Sequence, residues 1–150
     1  MKKYMLFMLL VWTFILTLSA CNQSEEEKIQ AYLKDKSQNF YDFLVVDFTE
    51  GELNIEFKMH PHSETWNNDD VEFDVAVETK AFLEAVKSYS KEQLDVVKDV
   101  NLYFVTRESN KTVAEINANN ETILETNWLE VSNQEFLQIV DGYKFYGASD

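Results

Sequence analysis

The sequence predicts an α+β fold, in which a small and mainly antiparallel sheet made of two hairpins carries helices packed on one face. Two apolar periodicities support this fold class. Residues 53–59 alternate between apolar and polar side chains, which is typical of a half-buried strand. Residues 133–141 repeat their apolar positions every three to four residues, which is typical of a helix. Residues 25–150 are long enough for one domain of such elements.

A first helix is predicted over residues 25–37. Ser24 is followed three residues later by Glu27, which is the spacing of a capping box. Three consecutive glutamates stand at the positive end of the helix dipole, where negative charge is stabilising. Ile29 and Leu33 then supply an apolar stripe at helical spacing.

The first hairpin is predicted over residues 43–59, with its turn at Thr49–Glu52. Gly51 can adopt the positive φ that short hairpin turns require. The strand before the turn, Phe43–Phe48, has an almost continuous apolar run. We therefore expect that strand in the interior of the sheet.

Two interpretations stay open for the segment that follows residue 70. Four apolar residues alternate like a strand, and four later ones fall at helical spacing: Val71, Phe73, Val75 and Val77, then Phe82, Leu83, Val86 and Tyr89. We predict a short strand over residues 71–78 that leads into a helix near residues 79–90. A continuous helix from about Asp70 onward is the alternative.

The second half of the chain predicts another hairpin and a terminal helix. Val100–Phe104 alternates, and Val113–Ala118 supplies the partner strand after a turn around Glu108–Lys111. Ser132 and Glu135 form a second capping box, so a helix is expected over residues 133–141, with Gly142 ending it.

The first twenty residues have the layout of a signal peptide. Lys2 and Lys3 form a short positive segment, and residues 4–18 contain no charge. This apolar run is shorter than the roughly 20 residues that a membrane-spanning helix needs. We therefore predict a signal peptide over residues 1–20, which directs export of the chain.

The residues around the end of this segment resemble a known family. Leu18-Ser19-Ala20-Cys21 resembles the lipobox of bacterial lipoproteins at all four positions. The resemblance implies that Cys21 carries a diacylglycerol thioether and becomes the mature N-terminus. It also implies a location on the extracytoplasmic face of the cell membrane. Residues 21–24 are then the lipidated N-terminus and a short tether, and nothing is implied for the fold that follows.

The net charge and the cysteine content exclude some kinds of partner and site. The chain without its first 21 residues keeps 27 acidic and 11 basic side chains, a net charge of −16. Such a charge repels phosphate backbones and anionic headgroups, so we expect no nucleic acid partner and membrane attachment only through the lipid. Cys21 is the only cysteine, which excludes disulfides and thiolate metal sites from the rest of the chain.

Several catalytic motifs are absent from the sequence. Three glycines cannot form a dinucleotide fingerprint or a phosphate-binding loop, and no G-x-S-x-G motif occurs. We expect no cofactor and no enzymatic activity. The leading expectation is a non-catalytic module that binds an envelope protein or a small ligand. An enzyme acting on cell-wall material is an alternative, because paired carboxylates are numerous.

A metal site is a second alternative. His60 and His62, with Glu64 close by, offer imidazole and carboxylate ligands that suit zinc and related ions. Pro61 between the histidines equally fits an ordinary strand exit into a solvated loop.

Aromatic residues near the C-terminus allow two interpretations. Trp128, Tyr143, Phe145 and Tyr146 form either a platform for sugar stacking or protein contact, or part of the core. Aromatic residues near helix ends are more often part of the core, which favours the second interpretation.

Overall fold

The computed structural model describes residues 24–37, 41–59, 67–93 and 96–147. Four helices and five strands follow one another in these ranges. In chain order they are α1 (Glu25–Lys36), β1 (Asp42–Thr49), β2 (Glu52–Met59), α2 (Asn68–Glu92), β3 (Asp99–Thr106), β4 (Thr112–Asn119), α3 (Asn120–Glu125), α4 (Asn133–Ile139) and β5 (Gly142–Phe145).

The five strands form one mixed sheet in the order β1-β2-β3-β4-β5. Both predicted hairpins are present as antiparallel pairs, and they join through a parallel pairing of β2 with β3. Helix α2 connects these two parallel strands. The α+β class is therefore confirmed, but the prediction of a sheet with only two hairpins is wrong, because β5 adds a fifth strand beside β4. Four residues are too few for β5 to show a recognisable alternation.

Strand β1 lies at the edge of the sheet, so the prediction of an interior position is wrong. Its apolar run has another explanation. Phe43 and Val45 are buried in the core, whereas Leu44 and Val46 are 57% exposed on the other side. Helix α1 runs antiparallel to β1 along the outer edge: the Phe48 N–H bonds to Glu26, and Lys34 lies over the Phe43 ring.

The turn between β1 and β2 has the predicted conformation. Glu50 and Gly51 both have positive φ, at 55° and 93°. Two consecutive positive φ values define a type I′ turn, whose twist matches the strands that it joins. A Cβ atom at Gly51 would lie 2.8 Å from the carbonyl oxygen of Val96, so this position also requires glycine for space.

A single helix of 25 residues occupies the segment with the ambiguous periodicity, so the strand predicted over 71–78 is wrong. The side chain of Asn67 caps this helix by accepting from the N–H groups of Asp69 and Asp70. Val71 and Val75 are one helical turn apart, and both are buried. These two residues belong to the apolar stripe of a helix, but with Phe73 and Val77 they also fit the alternation of a strand.

The predicted terminal helices are confirmed with changed ends. Helix α1 has the capping box of Ser24, and α4 has that of Ser132. Helix α4 ends at Ile139, two residues earlier than expected, because Val140 is already extended and Gly142 begins β5 instead of ending the helix. Helix α3, which Asn119 caps, has no counterpart among the predictions.

The core lies on one side of the sheet. The ring of Phe57 stacks on that of Phe104 with centroids 4.7 Å apart. Phe82 of α2 packs edge-on against both Phe43 and Phe57 at 5.1 Å. Three strands and the longest helix therefore meet at one aromatic cluster, and all four rings are buried.

Two lysines of α2 hold the segment between α3 and α4. Lys80 donates from Nζ to the carbonyl oxygen of Val131 and to the side chain of Asn133. Lys87 donates to the carbonyl oxygen of Thr126. Burial lowers the pKa of Lys80. These bonds fix the segment that carries Trp128, whose ring is fully buried.

In the described part of the chain, no helix has the length and apolar character needed to cross a bilayer.

Candidate functional site

The side of the sheet opposite Phe82, here called the open face, carries polar side chains that alternate with core residues. It contains Leu44, Asn54, Glu56, Lys58, Asn101, Tyr103, Glu115, Asn117, Gly142 and Lys144, which are all exposed or half-exposed. This face therefore presents functional groups to solvent on a rigid scaffold.

A row of three asparagines crosses the open face from β2 to β4. Asn101 is the strand partner of both Asn54 and Asn117. Asn117 donates from Nδ2 to Oδ1 of Asn101 at 2.8 Å. Asn101 in turn donates to Oδ1 of Asn54 at 3.1 Å and to Glu52 at 2.8 Å. The three amides are thus held in fixed orientations by a directional chain of hydrogen bonds.

The row ends at a shallow hollow of about 260 Å³ over β5. Gly142 is the strand partner of Asn117 and has no side chain to fill this position. Side chains of β3, β4 and β5 form the walls: Asn101, Tyr103, Glu115, Asn117 and Lys144. The hollow therefore combines amide, phenol and charged groups around a gap made by glycine.

The charged groups at this hollow are paired. Glu115 lies 3.7 Å from Nζ of Lys144, and its carboxylate also accepts from the hydroxyl of Tyr146. Loss of hydration and this hydrogen bond raise the pKa of Tyr146. Further along the face, Glu56 and Lys58 form an ion pair at 2.8 Å.

A second depression lies at the end of the sheet where the β1–β2 turn is located. Asp47, Glu50, Glu52 and Asp99 line it together with Lys98. In the residues that the structure describes, no group of three acidic, histidine or cysteine side chains is arranged to hold a metal ion. With four acidic side chains and one lysine, this depression has a negative charge.

Three tyrosines donate hydrogen bonds to carboxylates on α2. The hydroxyls of Tyr32, Tyr41 and Tyr143 bond to Glu92, Asp74 and Glu72, at 2.8, 3.0 and 2.7 Å respectively. Burial and the neighbouring carboxylates raise the pKa of all three tyrosines, that of Tyr32 to about 12. A phenol that keeps its proton this firmly is a poor general base. These pairs connect α2 to α1, to β5 and to the residue before β1.

The site residues that the sequence singled out fall into two groups. Cys21 and the proposed metal ligands His60, His62 and Glu64 lie outside the described residues, so both sites stay predictions. The four C-terminal aromatic residues are among the described residues, and they differ in burial. Trp128 is fully buried, and Tyr143 and Phe145 pack against the core, which confirms the core interpretation for these three. Tyr146 is 52% exposed.

The open-face residues were not singled out in the sequence. Asn54, Asn101 and Asn117 are far apart in the sequence and belong to no motif. Only the register of the strands brings them side by side. The alternation over residues 53–59 did place Asn54 on the polar side of its strand. The parallel pairing of β2 with β3, which aligns the row, has no local sequence signal.

Comparisons with protein-family models, curated proteins and solved structures find no match to this chain.

Proposed function

We propose that the protein is a lipid-anchored, extracytoplasmic and non-catalytic module that binds a component of the cell envelope through the open face of its sheet. The observation that carries this proposal is the fixed asparagine row leading to the hollow over Gly142. Polar side chains that are already held in place lose less entropy when they bind, so such a surface favours recognition.

The position of α1 supports the lipid anchor. Because α1 is antiparallel to β1, its first residue lies at the same end of the sheet as the β1–β2 turn. Cys21 precedes Ser24 by only three residues, and a tether of that length reaches roughly 10 Å. A lipid on Cys21 would therefore hold this end of the sheet close to the membrane.

The charge at that end agrees with attachment by lipid alone. Glu25, Glu26 and Glu27 open α1, and the acidic depression formed by Asp47, Glu50, Glu52 and Asp99 lies at the same end of the sheet. Anionic headgroups repel such a surface. Two acyl chains provide stable anchoring without electrostatic help, because each buried methylene contributes about 0.8 kcal/mol.

The non-catalytic part of the proposal rests on the sequence and on the state of the open-face acids. Glu115 is engaged by Lys144 and Tyr146, and Glu56 by Lys58. The sequence also has no nucleotide-binding or nucleophile motif.

Photocrosslinking in living cells tests which surface binds. A photoreactive amino acid at Tyr103 reports on the open face, and one at Phe73, which is 58% exposed on α2, is the matched control on the helical side. We expect a discrete crosslinked product from position 103 that is absent from position 73. Products only from position 73 would contradict binding through the open face.

A further inference from the structure

The size of the hollow over Gly142 limits what it can hold. Sites for drug-sized ligands usually measure about 300–1,000 Å³, and this hollow has about 260 Å³. It opens on the open face of the sheet, between side chains of β3, β4 and β5. A single small ring fits such a space, while a longer ligand would extend from it along the face.

The amide at the rim offers both kinds of hydrogen-bonding group. A side-chain amide has two N–H donors and one carbonyl acceptor. The bond from Asn117 to Asn101 uses one donor, which leaves the other N–H and Oδ1 for a ligand at the hollow. A hydroxyl group donates and accepts at once, so a ligand with neighbouring hydroxyls matches this pair.

Charge balance selects against ions. The chain beyond Cys21 carries −16, yet the carboxylate at the hollow is paired with Lys144 and bonded to Tyr146. The two charged side chains that line the hollow, Glu115 and Lys144, have opposite signs, so the lining carries no net charge. The hollow is therefore complementary to an uncharged polar ligand.

Two exposed tyrosines flank the carboxylate. Tyr103 is 36% exposed at the hollow, and the hydroxyl of Tyr146 bonds to Glu115. A tyrosine ring packs against apolar C–H surfaces while its hydroxyl stays in water. The exposed aliphatic residues of β1, Leu44 and Val46, lie at the opposite edge of the sheet from the hollow. A protein partner would find apolar contacts at that edge and not at the hollow.

From this combination we propose that the hollow over Gly142 binds one ring of an uncharged sugar, with Asn117 bonding to its hydroxyls and Tyr103 packing against its C–H face. This inference rests on the proposed function and names the class of envelope component that the open face binds: a neutral glycan.

Nuclear magnetic resonance titration of the mature chain with Cys21→Ser tests the inference. The probes are an oligomer of N-acetylglucosamine, an oligomer of glucose, and a basic peptide. We expect saturable shifts at Asn101, Tyr103, Asn117 and Gly142 with at least one sugar, and none there with the peptide. The comparison of the two sugars shows whether the acetamido group is needed. No saturable shift with either sugar at millimolar concentration would overturn the inference.

Variants locate the binding on the hollow. Tyr103→Ala and Gly142→Val should each weaken sugar binding by about 2- to 10-fold, the range of one lost aromatic or packing contact. A Cβ atom at Gly142 comes no closer than 3.4 Å to a neighbour, so the valine variant should fold. Leu129→Ala, at a side chain that is 74% exposed beside α2 and outside the open face, should bind sugar normally. Loss of binding in Leu129→Ala with normal binding in Tyr103→Ala would contradict the inference.

The two proposals fail differently. Suppose that a protein is crosslinked at position 103 and that neither sugar gives a saturable shift. This result would overturn the proposal of a glycan ligand and would leave the open face as the binding surface. Crosslinks only from Phe73 would overturn the open face itself.

Discussion

Gln30 of α1 hydrogen-bonds to the outer edge of β1 through both ends of its side-chain amide. Nε2 donates to the carbonyl oxygen of Phe43 at 2.9 Å, and Oε1 accepts from the N–H of Val45. The amide thus occupies the place that a neighbouring strand would take. Exposed strand edges pair readily with other chains, and a covering helix is one way in which proteins prevent this.

Gln30→Leu should therefore destabilise the protein. It leaves a backbone carbonyl and a backbone N–H of β1 without these partners, at a cost of about 1–3 kcal/mol in the free energy of unfolding. Urea denaturation measures this change. The same substitution at Gln138, which is exposed on α4, should change the free energy of unfolding by less than about 0.5 kcal/mol. Equal stability of the two variants would show that the bonds to β1 contribute nothing.

The aromatic cluster predicts a contrast between two phenylalanines of the same helix. Phe82→Ala should lower the free energy of unfolding by about 3–5 kcal/mol, because it opens a cavity beside the rings of Phe43 and Phe57. Phe73→Ala removes a ring that is 58% exposed and should cost less than about 1 kcal/mol. Thermal and urea denaturation of both variants checks this. Comparable losses would contradict the position of the core.

Tyr143 predicts how stability changes in alkaline solution. Burial and the bond to Glu72 raise the pKa of its hydroxyl in the folded chain above the value of about 10 in the unfolded chain. The stabilisation is complete below pH about 10 and is lost as the pH rises through the folded pKa.

Tyr143→Phe should lower the free energy of unfolding by about 1–2 kcal/mol near neutral pH. The difference from the natural chain should shrink above pH about 10, because the variant has no phenol to titrate at this position. Denaturation at a series of pH values measures the effect. The control is Tyr103→Phe on the exposed open face, which should leave stability near that of the natural chain. A difference that grew with pH would contradict this assignment.

The acidic end of the sheet predicts that attachment depends wholly on lipid. The mature chain with Cys21→Ser should remain in the supernatant when it is sedimented with vesicles, whether these are neutral or anionic, because the surface beside α1 repels anionic headgroups. Sedimentation with anionic vesicles at low ionic strength would instead reveal an electrostatic membrane contact.

Local signals in the sequence were sufficient for the elements that depend on them. Ser24 and Ser132 begin their helices through capping boxes, and Gly51 allows the first hairpin turn. These features act over a few residues, so they can be recognised in one sequence. The prediction of an exported, lipid-anchored chain also rests on a local motif, the four residues that end at Cys21, and it stays a prediction.

Features that depend on distant contacts were missed. Val71, Phe73 and Val75 alternate like strand residues, but only packing reveals that Phe73 faces solvent. The edge position of β1 depends on α1 beside it. The asparagine row exists because β2 pairs in parallel with β3, although α2 separates these two strands in the sequence. No pattern within either strand indicates that they are neighbours.

Mass spectrometry of the N-terminal peptide, taken from the protein in its native membrane, decides whether the chain is lipid-anchored through Cys21. We expect a peptide that begins at Cys21 and carries the mass of a diacylglycerol, with residues 1–20 removed. An intact leader, or a mature terminus at another residue without lipid, would contradict it.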